Sequence, residues 1–179
     1  VCTLVMMIFT GITPTSMDQD GNRGLVEKEK FIQNEPRNAN GLISLTGNQE
    51  VADFCAGNAS MDGKSWETAY RIENRTIDIA YNEDGLKLTN TDVYVIIQNI
   101  TFNETRNHAD GIVLVNASNV FVNNVSCIIK DYGGLSISSS SNVTINASQF
   151  SFNDVTSFDN PYGMNIENSD RVSIENSSY

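Results

Sequence analysis

Four stretches decide the reading of this chain: GLKLTNTDVYVIIQNITF at 85–102, GIVLVNASNVFVNNVSC at 111–127, GLSISSSSNVTINASQF at 134–150 and GMNIENSDRVSIENSSY at 163–179. Aligned on Gly85, Gly111, Gly134 and Gly163, they repeat one pattern. The first and third positions after glycine are apolar: Leu86/Leu88, Ile112/Leu114, Leu135/Ile137 and Met164/Ile166. The ninth and eleventh read Tyr94/Ile96, Val120/Val122, Val143/Ile145 and Val172/Ile174. A third cluster holds Phe102, Cys127, Phe150 and Tyr179, with one extra residue in the first copy. The fifth position is polar throughout: Asn90, Asn116, Ser139 and Asn168.

Each unit therefore carries three short runs that alternate with period two, the signature of a strand with one face buried. No Asn-Gly or Asp-Gly turn joins the runs of a unit into hairpins. Each run pairs best in parallel with its copy in the next unit, so the chain winds as a coil and like residues stack. One coil cannot hide its own apolar side chains, but neighbours above and below close a continuous core. The expected fold is all-β, a right-handed parallel β-helix with three short strands per coil. A sandwich of short strands is the rival, and the repeated glycine and same-position asparagine speak against it.

Composition agrees. The 179 residues include 23 Asn, 18 Ser and 13 Thr, residue types that favour turns, so one bend is used many times. A net charge of −11 without a Lys/Arg cluster argues against nucleic-acid and anionic-membrane partners. Cys55 and Cys127 are a possible pair, although Cys127 falls on a core position and reads as a buried thiol.

Upstream of the repeat, 1–16 opens with the apolar VCTLVMMIF and resembles a secretory signal, too short to span a bilayer. Its rival is a buried N-terminal strand. Residues 17–40 read as a polar linker, and 41–179 as the β-helix domain. Within that domain GLISL (41–45) predicts a first strand. GNQEVADF (47–54) predicts a helical turn that covers the open end of the core, with Asn48 as its N-cap and Glu50 in its first turn. YRIENRTIDI (70–79) predicts the first, incomplete coil, with Trp66 near its entrance. The fourth unit stops at Tyr179 without a cap, which predicts further coils in a longer gene product.

The stretch FCAGNASMDGKSWETAYRIENRTIDI (54–79), followed by TNTDVYVIIQNITF (89–102), resembles the opening of secreted archaeal parallel β-helix repeat proteins. These are similar to the periplasmic copper-binding NosD-type and pectate-lyase-like repeat families. The resemblance covers roughly 42–179 and implies a right-handed coil and an extracellular or cell-surface setting.

The glycine separations are 26, 23 and 29, and most of the difference falls after the third run of each unit. The loops there are NETRNHAD (103–110), IIKDYG (128–133) and SFNDVTSFDNPY (151–162). Length variation at one corner marks the face on which function is grafted. Glu104, His108, Asp110, Asp131, Tyr132, Asp154, Asp159 and Tyr162 are the candidate carbohydrate-binding residues. Carboxylates bond sugar hydroxyls and aromatic rings stack on sugar faces; a solvated loop face is the bland alternative.

No catalytic constellation is visible. The polygalacturonase-like motifs are missing, and His108-Ala109-Asp110-Gly111 is only a fragment of one. A single His without clustered Met or Cys does not make a soft-metal site, so no metal and no cofactor is expected. Nine Asn-x-Ser/Thr sequons occur. Of these Asn99, Asn124 and Asn176 are copies of one outward-facing bend and are the glycosylation candidates.

Three functional readings stand. The first is a secreted or surface solenoid with a structural or carbohydrate-binding role. The second is a fragment of a polysaccharide-processing enzyme (lyase, hydrolase or epimerase) whose active coils lie beyond Tyr179. The third is a scaffold that binds other surface proteins. Glycans or surface proteins are the expected partners, and the oligomeric state is open.

Overall fold

The computed structural model describes residues 41–57, 60–79, 83–104, 109–129, 133–152 and 162–179. The signal-like segment and the polar linker lie outside the described residues. In chain order the elements are β1 (Ile43–Thr46), α1 (Gly47–Phe54), β2 (Tyr70–Ile79), β3 (Leu86–Thr91), β4 (Val95–Glu104), β5 (Ile112–Ile129), β6 (Gly133–Ser138), β7 (Ser141–Asn146), β8 (Gln149–Phe152), β9 (Tyr162–Glu167) and β10 (Asp170–Glu175).

Every pairing between these strands is parallel. β1, β3, the start of β5, β6 and β9 lie side by side as one sheet. β2, β4, the middle of β5, β7 and β10 form a second. A third face joins the ends of β2, β4 and β5 to β8. The result is a parallel β-solenoid, consistent with a right-handed β-helix, the hand that parallel crossovers take.

Like residues stand over one another. Ile43, Leu86, Ile112, Leu135 and Met164 form one column in register, and Leu45, Leu88, Leu114, Ile137 and Ile166 another. Leu86, Leu88, Ile112, Leu114, Leu135 and Ile137 are fully buried. Each contributes about 1.5–3 kcal/mol against its exposed state, before the cost of ordering the chain. The third column is as expected, Phe102 pairing Cys127 and Cys127 pairing Phe150.

One register differs from the sequence reading. Val95 and Ile97, not Tyr94 and Ile96, align with Val120 and Val122. The extra residue of the first copy therefore sits in the bend before β4 rather than between Ile96 and Phe102. In VYVII every position is apolar, so alternation leaves the phase undetermined. What resolves it is packing outside the coil, where Tyr94 meets Trp66 at a ring-centroid distance of 4.8 Å.

The glycine spacing has a steric cause. A Cβ on Gly134 would lie 2.6 Å from the carbonyl oxygen of Gly163 and 2.8 Å from Phe150 Cβ. Gly85 and Gly111 meet the carbonyl of the next glycine in the column in the same way, each at 2.8 Å. Backbone crosses so closely over the third-face side chains that no methyl fits.

α1 occupies the predicted residues, packs against β1 and β3, and buries Val51 completely. From its end Phe54 lies under the Arg75 guanidinium, and the Cys55 thiol reaches the Arg71 carbonyl at 3.5 Å, both on β2. It thus covers the first rung from one sheet to the next. Its N-cap is Thr46, not Asn48. Glu50 accepts the Thr46 amide at 2.7 Å. The Asn48 side chain is drawn to β3 instead, accepting from the Thr91 hydroxyl and the Asp92 amide and donating to the Asp92 carboxylate. Cys55 and Cys127 do not pair; Cys127 is fully buried and Cys55 partly so. Burial raises the Cys55 thiol to about 11.

Candidate functional site

Bends between strands are made by residues in the left-handed region, φ between 46° and 59°, which asparagine tolerates better than other side chains with a Cβ. Three columns of them run along the solenoid. One holds Asn90, Asn116, Ser139 and Asn168, a second Asn119, Asn142 and Arg171, and a third Asn74, Asn99, Asn124, Ala147 and Asn176. Their amides bond rung to rung: Asn116 donates to Asn90 at 2.9 Å, Asn142 to Asn119 at 2.6 Å, Asn99 to Asn74 at 3.0 Å and Asn124 to Asn99 at 2.9 Å. At Ala147 the third column loses its amide, and Asn176 donates sideways to Asn146 at 3.1 Å.

Serine closes the remaining valences. After the left-handed residues Asn116, Asn124, Ser139 and Ala147, the next amide reaches the following rung: Ser140, Ser148, Ser169 and Ser177 accept the amides of Ala117, Val125, Ser140 and Ser148, each at 3.1 Å. Asn99, Asn124 and Asn176 are exposed at this bend with their side-chain nitrogens donating into the rows just described.

The corner after the third face is built differently. Of the candidate carbohydrate-binding residues there, His108, Asp131, Tyr132, Asp154 and Asp159 lie outside the described residues, as does the side chain of Glu104. Asp110 and Tyr162 are described and meet. The Tyr162 hydroxyl lies 3.0 Å from both Asp110 carboxylate oxygens. Asp110 is only 7% exposed. Its backbone amide donates to Asp84 Oδ1 at 3.2 Å, and Lys87 pairs with Asp84 at 3.3 Å.

Burial is the main cause that lifts the Asp110 carboxyl to about 6, and the Asp84 charge adds to it. The Tyr162 hydroxyl, the Gly133 amide and Lys87 pull the other way. Lys87 escaped the sequence reading because it lies inside the repeat, and Asp84 because it precedes the first aligned unit and falls in none of the three loops. The signal was available: Asp84 precedes Gly85 as Asp110 precedes Gly111.

Chemically, this group is a buried acid that gives up its proton less readily than a free carboxyl, backed by a phenol and an ion pair. No group of three or more His, Cys, Asp or Glu side chains arranged to hold a metal occurs among the described residues. No helix among them is long and apolar enough to cross a membrane. Comparison with protein-family models, curated proteins and solved structures finds no match to this chain.

Proposed function

We propose that this chain is a secreted or cell-surface β-solenoid with a structural role that binds carbohydrate at its loop-bearing corner. The observation that carries this reading is the contrast between bends tied rung to rung by amides and one corner where Asp84, Lys87, Asp110 and Tyr162 converge, flanked in sequence by segments whose length varies from unit to unit. A rigid stack that displays adjustable loops is a scaffold for recognition. The acidic balance supports glycans over nucleic acid. The resemblance to secreted archaeal β-helix repeats supports the setting, and exposed Asn99, Asn124 and Asn176 support glycosylation along one bend.

A glycan array probed with the wild-type chain and with Tyr162→Phe tests the reading. Binding that weakens in the variant is expected. Silence on every glycan, with other proteins recovered from a surface extract, would leave a protein-binding scaffold. Intact mass of protein from the native host, before and after deglycosylation, tests the sequons; an unchanged mass removes them.

A second reading, a polysaccharide-processing enzyme, draws on Asp84 and Asp110 occupying adjacent rungs with one carboxyl held up near 6. Two carboxylates flanking the scissile bond are what glycoside cleavage needs. Reducing-end and unsaturated-product assays should then respond to Asp110→Asn; activity that is absent or indifferent to it ends this reading.

A further inference from the structure

We infer that the outer face of the second sheet, around Trp66, is a binding platform for a linear uncharged polysaccharide. This inference rests on the carbohydrate-binding reading but moves the contact away from the loop corner. Trp66 lies in the segment before β2, edge-on to Tyr94 at 4.8 Å and to Phe121 at 6.4 Å. It is 38% exposed, whereas Ile96, the neighbour of Phe121 in the outward column, is 8% exposed. The three rings thus form an apolar shelf outside the coil, on a surface where solenoid strands ordinarily carry polar side chains.

The segment that holds Trp66 is fixed. Asp62 accepts the Lys64 amide at 3.1 Å and the Thr68 hydroxyl at 2.6 Å, and the Thr68 carbonyl accepts the Asp62 and Gly63 amides. The Tyr94 amide donates to the Gly63 carbonyl at 2.9 Å, tying the segment to β4. The indole is therefore preorganised, which lowers the entropy cost of stacking a ligand on it.

What surrounds the shelf selects the ligand. The outward column that includes Ile96 and Phe121 continues to Thr144 and Ser173. The outward column beside it is Gln98, Asn123 and Asn146, with Asn146 donating to Asn123 at 2.8 Å. Amides and hydroxyls thus repeat at the rung spacing of about 4.8 Å beside an aromatic surface. Formal charges lie at the margins, on Arg71 and Glu73 at one end, on Glu175 at the other, and on Lys64 and Glu67 near the indole. A repeating neutral polyol with apolar ring faces satisfies both features; an anionic or peptide ligand leaves the amide rows without matched charge or shape.

Trp66 is the only tryptophan in the chain, so its emission reports on this face alone. The chain is titrated with a soluble β-glucan, a mannan and an arabinoxylan while that emission is recorded, and total binding is measured by affinity electrophoresis. At least one polymer should bind with a change in emission. Trp66→Ala should weaken it about ten-fold, the equivalent of one lost aromatic stacking contact. Thr144→Arg, which blocks the face without touching the Trp66 packing, should weaken it as well and keeps the test informative if Trp66→Ala unfolds.

Binding that leaves emission unchanged and is indifferent to both substitutions overturns the platform while the loop corner survives. Binding confined to acidic glycans does the same. A sedimentation change that shows Trp66 joining two copies of the chain overturns it in favour of self-association.

Discussion

The bend at Asn74, Asn99, Asn124, Ala147 and Asn176 and the corner at Asp84, Asp110, Gly133 and Tyr162 close the same coils in opposite ways. At the bend, one residue per rung turns the chain with a positive φ, and the tie to the next rung comes mostly from exposed side-chain amides. Errors there are local and bathed in water. At the corner, each coil resumes through a glycine that has no room for a Cβ, and an acid lies buried behind a tyrosine. The stack gets its direction from the first and its closure from the second. The glycine separations of 26, 23 and 29 differ at this corner, so length variation and tight packing share it.

If this division holds, the largest effect should come from the glycine column. Gly134→Ala places a methyl against the Gly163 carbonyl and Phe150, and backbone on both sides gives it no route of escape. Urea unfolding should show a loss of about 4 kcal/mol, beyond ordinary overpacking.

The buried acid comes next and has a sign of its own. Asp110 titrates at about 6 when folded against an ordinary value of 3.8, so the folded state holds its proton more tightly. Its contribution is fully present below the ordinary value of 3.8 and is lost as pH rises through 6, by about 3 kcal/mol. Unfolding free energies of wild type and Asp110→Asn should diverge across that window. Parallel curves would mean that the carboxyl ionises freely.

The bend should respond least. Asn124→Ala loses one amide bond and places alanine at positive φ, for about 2 kcal/mol, whereas Asn124→Gly keeps the turn and should lose about 1 kcal/mol. Ala147→Asn fills the gap in the row and should gain about 1 kcal/mol in the same unfolding assay. If Ala147→Asn destabilises as much as Gly134→Ala, the two regions do not differ in kind.

Much of this was legible in the sequence because a solenoid writes its core as columns. Leu86, Ile112, Leu135 and Met164 were assigned to one column from spacing alone, and they stack as expected. Asn90 and Asn116 were readable for the same reason, since identical side chains at identical offsets must meet. Legibility failed where a residue takes its partner from outside the repeat. Ile96 faces outward between Arg71 and Phe121 and is nevertheless buried, which no alternation rule anticipates. Asn48 looked like a helix cap, but a hydroxyl and an amide one rung away bind it better. At the candidate site the contact of Asp110 with Tyr162 spans 52 residues and two loop lengths, which spacing alone does not specify.

Matched columns also bear on heredity. Because Leu88, Leu114 and Ile137 occupy equivalent places, excising 111–133 in frame would set Ile137 where Leu114 stood and leave every neighbour recognisable. A gene built this way lengthens or shortens by whole modules through duplication and loss, without inventing a new interior each time.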